Sequence, residues 1–194
     1  METLDKIYTD KLHPDLGLHF EERSEICRPM WDKWITDALM YSKYKQATIL
    51  IMDKQKHMCL LIQNGQLVKD FNIELGVNSL NEKINKGDFA TAEGSYYISG
   101  KKERTFYNNF KTIILNYPNK EDIQRINSMA ESGKISDTNA LTDKLTIHGK
   151  GDKGYDWTDG SMALSDNDMD YIYSKIKIGT KVVIVGSTAG ILAV

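Results

Sequence analysis

Between residues 47 and 75 the chain breaks apolar, β-branched runs with short polar turns, and one of those turns is Asn64-Gly65. Asn-Gly supplies two consecutive residues that tolerate positive φ, which a tight type I′ turn demands, so it is the strongest hairpin signal in the chain. The runs 47–53, 58–63 and 66–75 then read as successive strands of a β-meander. Lys54–Lys56 forms the first polar turn, and Leu67, Phe71 and Ile73 mark apolar positions of the third strand.

Helical signals flank this β-rich stretch. Residues 1–28 are polar and mixed, with a turn at His13-Pro14-Asp15. From Pro29 onward, Met30, Trp31, Trp34, Ile35, Ala38 and Leu39 recur at helical spacing, and proline suits a first helical turn. The expectation is a helix over 29–44 that lays its tryptophans on the main domain. After a loop at 76–94, strands are expected at 95–99 and 112–115, and a helix at 121–131 closed by Gly133. A short strand over 144–147 ends at His148. A helix follows at 166–177 with Ser165 or Asp166 as N-cap, and a buried strand at 181–185 after the Gly179-Thr180 turn. The predicted class is mainly β (α+β), with two or three helices, a helical extension over 1–44 and a main domain over 45–194.

Composition narrows the partners. A net charge of -2 leaves no basic footprint, so no nucleic acid partner is expected. No apolar run approaches membrane-spanning length. The N-terminus lacks a basic start followed by an apolar stretch, which fits either a processed fragment or a cytoplasmic protein. Cys27 and Cys59 form no CxxC pair; Cys59 reads as core, and nothing in the sequence supports a Cys27–Cys59 disulfide, although two cysteines permit one. Histidines 13, 19, 57 and 148 make no HxH or HxxxH pair, so no metal site is expected.

The chemistry-bearing stretch is Leu145-Thr-Ile-His148-Gly149, a Gly/Asp-rich loop, then Asp156-Trp-Thr-Asp-Gly160-Ser161-Met-Ala-Leu164. Thirteen positions separate His148 from Ser161. An acyl-transfer site needs a nucleophile, a base, something to orient the base and donors for the oxyanion. His148 ends a strand in a glycine-rich loop, and Gly160 permits a sharp turn that exposes Ser161 and leaves backbone N–H groups nearby. Gly-Ser-Met-Ala-Leu is not the GxSxG elbow of α/β-hydrolases. On these residues alone, a structural histidine and an ordinary Gly-Ser turn stand beside the catalytic reading.

Three blocks, in order, are similar to the L,D-transpeptidase (YkuD-like) family. They are Lys86-Gly-Asp88-Phe-Ala-Thr91-Ala-Glu93-Gly94, Leu115-Asn-Tyr117-Pro-Asn119, and Ile147-His148-Gly149 followed by the Asp156–Leu164 block, which resembles that family's Asp-Trp-Thr-x-Gly-Cys branch. The likeness runs over about residues 45–186. It implies a YkuD-like β-sandwich or mixed-sheet fold and acyl transfer on peptidoglycan stem peptides, ending in crosslinking or trimming. His148 would be the base and position 161 the nucleophile, while Gly149 and the turn at Asp159-Gly160 would orient the histidine or bind the oxyanion. Tyr117, Trp157, Thr158 and Asp159 would contact substrate. No metal or organic cofactor is implied, and the site of action would be the periplasm or cell wall.

Several positions depart from the family. Ala92 replaces a usual proline, Asp159 stands where many relatives carry Ser-His-Gly, and Ala163 stands where crosslinking relatives often have Arg, which favours hydrolysis. Ser161 replaces the nucleophilic cysteine. A thiol beside a histidine ionises near neutrality, whereas a serine hydroxyl must lose its proton during attack. The chain as written is therefore expected to be inactive or severely impaired. Ser161 is either a replaced nucleophile in an enzyme or a natural variant, the latter a wall-binding pseudoenzyme or a serine-using hydrolase; an L,D-carboxypeptidase or amide hydrolase acting on peptidoglycan is the alternative activity.

Overall fold

The structure, a computed structural model, describes residues 19–104, 110–133, 144–189 and 191. The His13-Pro14-Asp15 turn lies outside them. Among the described residues there are three helices, α1 (Phe20–Tyr44), α2 (Lys120–Glu131) and α3 (Asp166–Lys175). The strands are β1 (Thr48–Asp53), β2 (Met58–Gln63), β3 (Gln66–Asn72), β4 (Gly94–Lys102), β5 (Thr112–Leu115), β6 (Thr146–His148), β7 (Met162–Ala163) and β8 (Lys181–Val185). They form one mixed sheet in the order β3-β2-β1-β8-β4-β5-β6-β7, so the fold is α+β with an N-terminal helix. Only β1·β8 and β6·β7 pair in parallel among these strands. Asn64 and Gly65 sit at φ 56° and 78°, the left-handed pair that the β2–β3 hairpin required. No helix among the described residues is long and apolar enough to cross a membrane.

Strand alternation sorts the apolar residues into two cores. Leu50, Phe71, Ile98, Ile113, Ile147, Met162 and Ile184 point to one face, where Met169, Ile172 and Tyr173 of α3 join them. Ile49, Ile51, Leu60, Ile62, Val183 and Val185 point to the other and pack against Cys27, Trp31, Ile35 and Ala38 of α1. The helix lies so close that a Cβ on Gly186 would strike the Trp31 ring. The sheet also curls on itself. Just past β3, Glu74 exchanges both backbone hydrogen bonds with Ala163 of β7 (2.9 and 2.8 Å), and Gly76 bridges to Thr158. The two edges of the sheet thus meet in a seam.

Helix α1 begins nine residues before Pro29, contrary to the expectation from the proline. The carbonyl that Pro29 leaves without a helical donor belongs to Glu25, which is exposed, so water can serve it. The early turns are held from a distance. Arg23 is buried and forks onto Glu93 (2.5 and 3.1 Å), and the Trp31 indole N–H also donates to Glu93 (2.9 Å). The fully buried Lys54 ammonium completes the group, reaching Glu93 and the Thr91 carbonyl at 2.8 Å each. Burial pushes Glu93 upward, but Arg23 and Lys54 outweigh it and hold the carboxyl at about 2. Burial lowers Lys54 to about 8, against the pull of Glu93.

The strand expected at 144–147 is Thr146–His148, so His148 lies within it, and the helix expected to reach 177 stops at Lys175. The two-residue strand β7 was not expected.

Cys27 and Cys59 belong to cores on opposite faces of the sheet and are both free, so the disulfide is excluded. Burial raises both thiols well above the ordinary range. A thiol-specific chromogenic reagent at neutral pH should therefore find neither cysteine in the folded protein and both after unfolding in denaturant.

Candidate active site

Strands β6 and β7 run parallel with Ile147 beside Met162 and His148 beside Ala163. Ile147 and Met162 are buried in the α3-side core, so the intervening Thr146, His148 and Ser161 project from the opposite face. Thr146 Oγ1 and Ser161 Oγ lie 3.1 Å apart and share a hydrogen bond. His148 is the next residue on that face of β6, roughly 7 Å further along the strand. The seam delivers β7 to this place, because Ala163 is the residue paired with Glu74.

The histidine has a defined tautomer. Its Nδ1 lies 2.6 Å from the Gly149 carbonyl oxygen, which only accepts, so Nδ1 carries the proton and Nε2 keeps a lone pair. Phe110 flanks the ring at 5.3 Å and Trp157 meets it edge-on at 5.8 Å. Burial depresses the His148 pKa, the Gly149 bond opposes that, and nearby Lys153 lowers it further. The net direction favours the neutral imidazole at neutral pH. Gly149 is confined: its N–H donates to Lys111 O (3.3 Å), and a Cβ would run into the Asp166 carboxylate. That carboxylate, at the first turn of α3, accepts from Lys150 N (3.1 Å) and Lys150 Nζ (3.0 Å) and anchors the segment after the histidine.

The turn before Ser161 is built by Thr158, whose placement differs from the groove contact expected of it. Thr158 is buried, and its hydroxyl donates to Ser161 O (2.6 Å) while accepting from Gly160 N (3.2 Å). The Gly160 N–H is therefore used inside the turn and is not free for an oxyanion. Gly160 has φ 108°, and a Cβ there would come 2.6 Å from the Ala90 carbonyl oxygen. Only glycine fits this position without moving one of two backbones.

Trp157 donates its indole N–H to Glu74 Oε2 (2.6 Å) and carries the Lys153 ammonium over its ring at 3.1 Å. Asp156 accepts from Leu75 N (2.8 Å) and Ser79 Oγ (3.1 Å) and meets His57 Nε2 (3.0 Å). Tyr117 is buried edge-on to Tyr96 at 6.1 Å, and it lines a small crevice with Lys83, the exposed Asp159 and Gly160. It also borders a groove of about 780 Å³ floored by Tyr97, Ser99, Ile114 and Asn116. Ile114 lies opposite Thr146 across β5 and β6, so the groove ends one strand short of Ser161 on the same face.

The structure thus sets His148 and Ser161 on one face of neighbouring strands, with Trp157 against the imidazole, Gly149 and Gly160 adjoining them in the chain, and Tyr117 and Asp159 in the crevice beside Gly160. Sequence reasoning missed Thr146, Phe110 and Glu74. Thr146 was accessible by counting two residues back from His148 along a strand. Glu74 left no signal, being 83 residues from the tryptophan it binds.

The family profile described as L,D-transpeptidase catalytic domain (YkuD) matches residues 47–184. No curated protein matches the chain. Among solved structures, Bd1075 of Bdellovibrio bacteriovorus is similar with a TM-score of 0.52 at 15% identity, over 73% of this chain and 49% of that one. The L,D-transpeptidase of Xylanimonas cellulosilytica gives 0.45 at 13% identity, over 72% and 61% of the two chains. That of Stackebrandtia nassauensis gives 0.46 at 12% identity, over 82% and 68%. The chain spans about half the length of the Bdellovibrio protein, and at such identity the likeness speaks for the fold alone.

Proposed function

The chain belongs to the YkuD family of L,D-transpeptidase catalytic domains, and from that we propose that it acts on, or binds, peptidoglycan stem peptides at the His148–Ser161 face, outside the cytoplasmic membrane. One observation carries the reading: an imidazole with a free Nε2 lone pair and the side chain at 161 project from neighbouring strands on one face, and an open groove on that face ends on the adjoining strand β5. With cysteine at 161, the thiol yields its proton to His148 and the sulfur attacks a stem-peptide carbonyl. The amide C–N bond then breaks, and the leaving amine takes the proton from the imidazolium. An amine or water, deprotonated by His148, next attacks the thioester and releases the sulfur. The Gly149 carbonyl orients the histidine, Thr158 shapes the turn, and Trp157 and Tyr117 wall the approach.

With serine at 161 the hydroxyl must be deprotonated during attack, and in this structure that hydroxyl pairs with Thr146. That pairing favours a second reading, a wall-binding domain without catalysis. Both are tested by incubating the Ser161→Cys and unaltered proteins with tetrapeptide-stem muropeptides and analysing products by mass. Crosslinked dimers or shortened stems from Ser161→Cys alone support the acyl-transfer reading, and a further His148→Ala change should abolish them. Binding without products in either form supports the second reading. Untouched, unbound muropeptides reject both.

A further inference from the structure

The segment that brings Trp157 to the imidazole takes three of its hydrogen bonds from one side chain just past β3. Glu74 Oε1 accepts from the backbone N–H groups of Lys153 and Gly154, the latter at 2.6 Å, and Oε2 accepts the Trp157 indole N–H at 2.6 Å. All three partners are donors, which a carboxylate satisfies with its two acceptor oxygens. We propose that Glu74 is a positioning residue for His148, acting through the Trp157 indole; this rests on His148 being the base. Trp157 meets the imidazole edge-on, and Lys153, stacked on the indole, is a cation whose charge lowers the His148 pKa. A carboxylate that fixes the indole and the Lys153 backbone therefore sets the hydration and local field of the ring. The seam itself depends on the Glu74 backbone, and Leu75 O separately holds Trp157 N (3.1 Å) and Thr158 N (3.0 Å). The side chain can thus be changed while the fold is kept.

Glutamine at 74 keeps the shape but turns an NH2 toward one set of donors, so one set loses its acceptor. In Glu74→Gln, NMR of the whole protein should show the Trp157 indole N–H resonance displaced and the His148 titration midpoint raised, as hydration returns and Lys153 withdraws. The melting temperature should stay near that of the parent. In the Ser161→Cys background, kcat should fall roughly 10- to 100-fold with KM nearly unchanged. Trp157→Phe removes the indole N–H, so adding Glu74→Gln to it should move the His148 midpoint little further. An unmoved His148 midpoint in Glu74→Gln, or full additivity with Trp157→Phe, overturns the proposal. Because the titration needs no turnover, an inactive Ser161→Cys protein would reject the acyl-transfer reading and still leave the Glu74 question decided.

Discussion

Replacing Glu93 with alanine is expected to lower the stability of the fold by about 3–5 kcal/mol, because it removes the carboxylate that two buried cations share. Arg23 and Lys54 have side chains only 5% and 0% exposed, and Glu93 is the carboxylate both of them reach. The Trp31 indole would lose its acceptor in the same step. Urea denaturation at neutral pH should show the midpoint falling with little change in slope. Glu93→Gln, which keeps the volume and one acceptor oxygen, should lie between. The same group makes acid stability predictable. The folded pKa of about 2 lies below the ordinary carboxylate value of 4.5, so the stabilisation is fully present above that value. It drains away as pH falls through the window toward 2, because the unfolded chain takes up the proton first. The difference in midpoint between the parent and Glu93→Gln should therefore narrow across that window.

Gly160→Ala should have the second largest effect, chiefly on chemistry. The new Cβ would lie 2.6 Å from Ala90 O at a φ of 108°, so the turn, the Ala90 backbone, or both must shift. Strain of this kind costs about 1–3 kcal/mol. In the Ser161→Cys background, a displacement of about 1 Å at the neighbouring residue is worth roughly 100-fold in turnover. Gly154 provides the comparison, since it has φ 78° but nothing within 4 Å of its Cβ position. Gly154→Ala should show only the backbone preference, about 1–2 kcal/mol. Thermal melts and turnover of both variants would check the contrast.

The contrast between Gly160 and Gly154 mirrors what was legible in the sequence. Features set within a few residues could be read directly: the Asn64-Gly65 hairpin, the Ser165 cap that accepts from Asp168 N, and the left-handed Gly133 after α2. Features set by distant contacts could not. The start of α1 depends on Arg23 meeting a carboxylate 70 positions away, and without that partner Pro29 looks like a beginning. Strand β7 is two residues long, too short to show any period, and exists because β6 and Glu74 flank it. Within the site, the residues and the resemblance singled out His148 and Ser161 as a pair facing one cleft. They did not reveal that Thr158 turns inward, that the Gly160 N–H is occupied, or that Thr146 holds the serine hydroxyl. Those depend on how the 157–161 turn folds against Leu75 and Ala90, which composition does not encode.

The stitch between residues 74–77 and 157–163 joins segments more than eighty positions apart, and it is made by two isolated bridges and a few loop hydrogen bonds rather than a full ladder. Such a joint can part while the two hydrophobic layers stay intact. In the Ser161→Cys protein, heating should then stop turnover at temperatures where the bulk of the molecule remains native. A ligand that touches both sides of the stitch would fasten it, and would show as added thermal protection concentrated at these few amides.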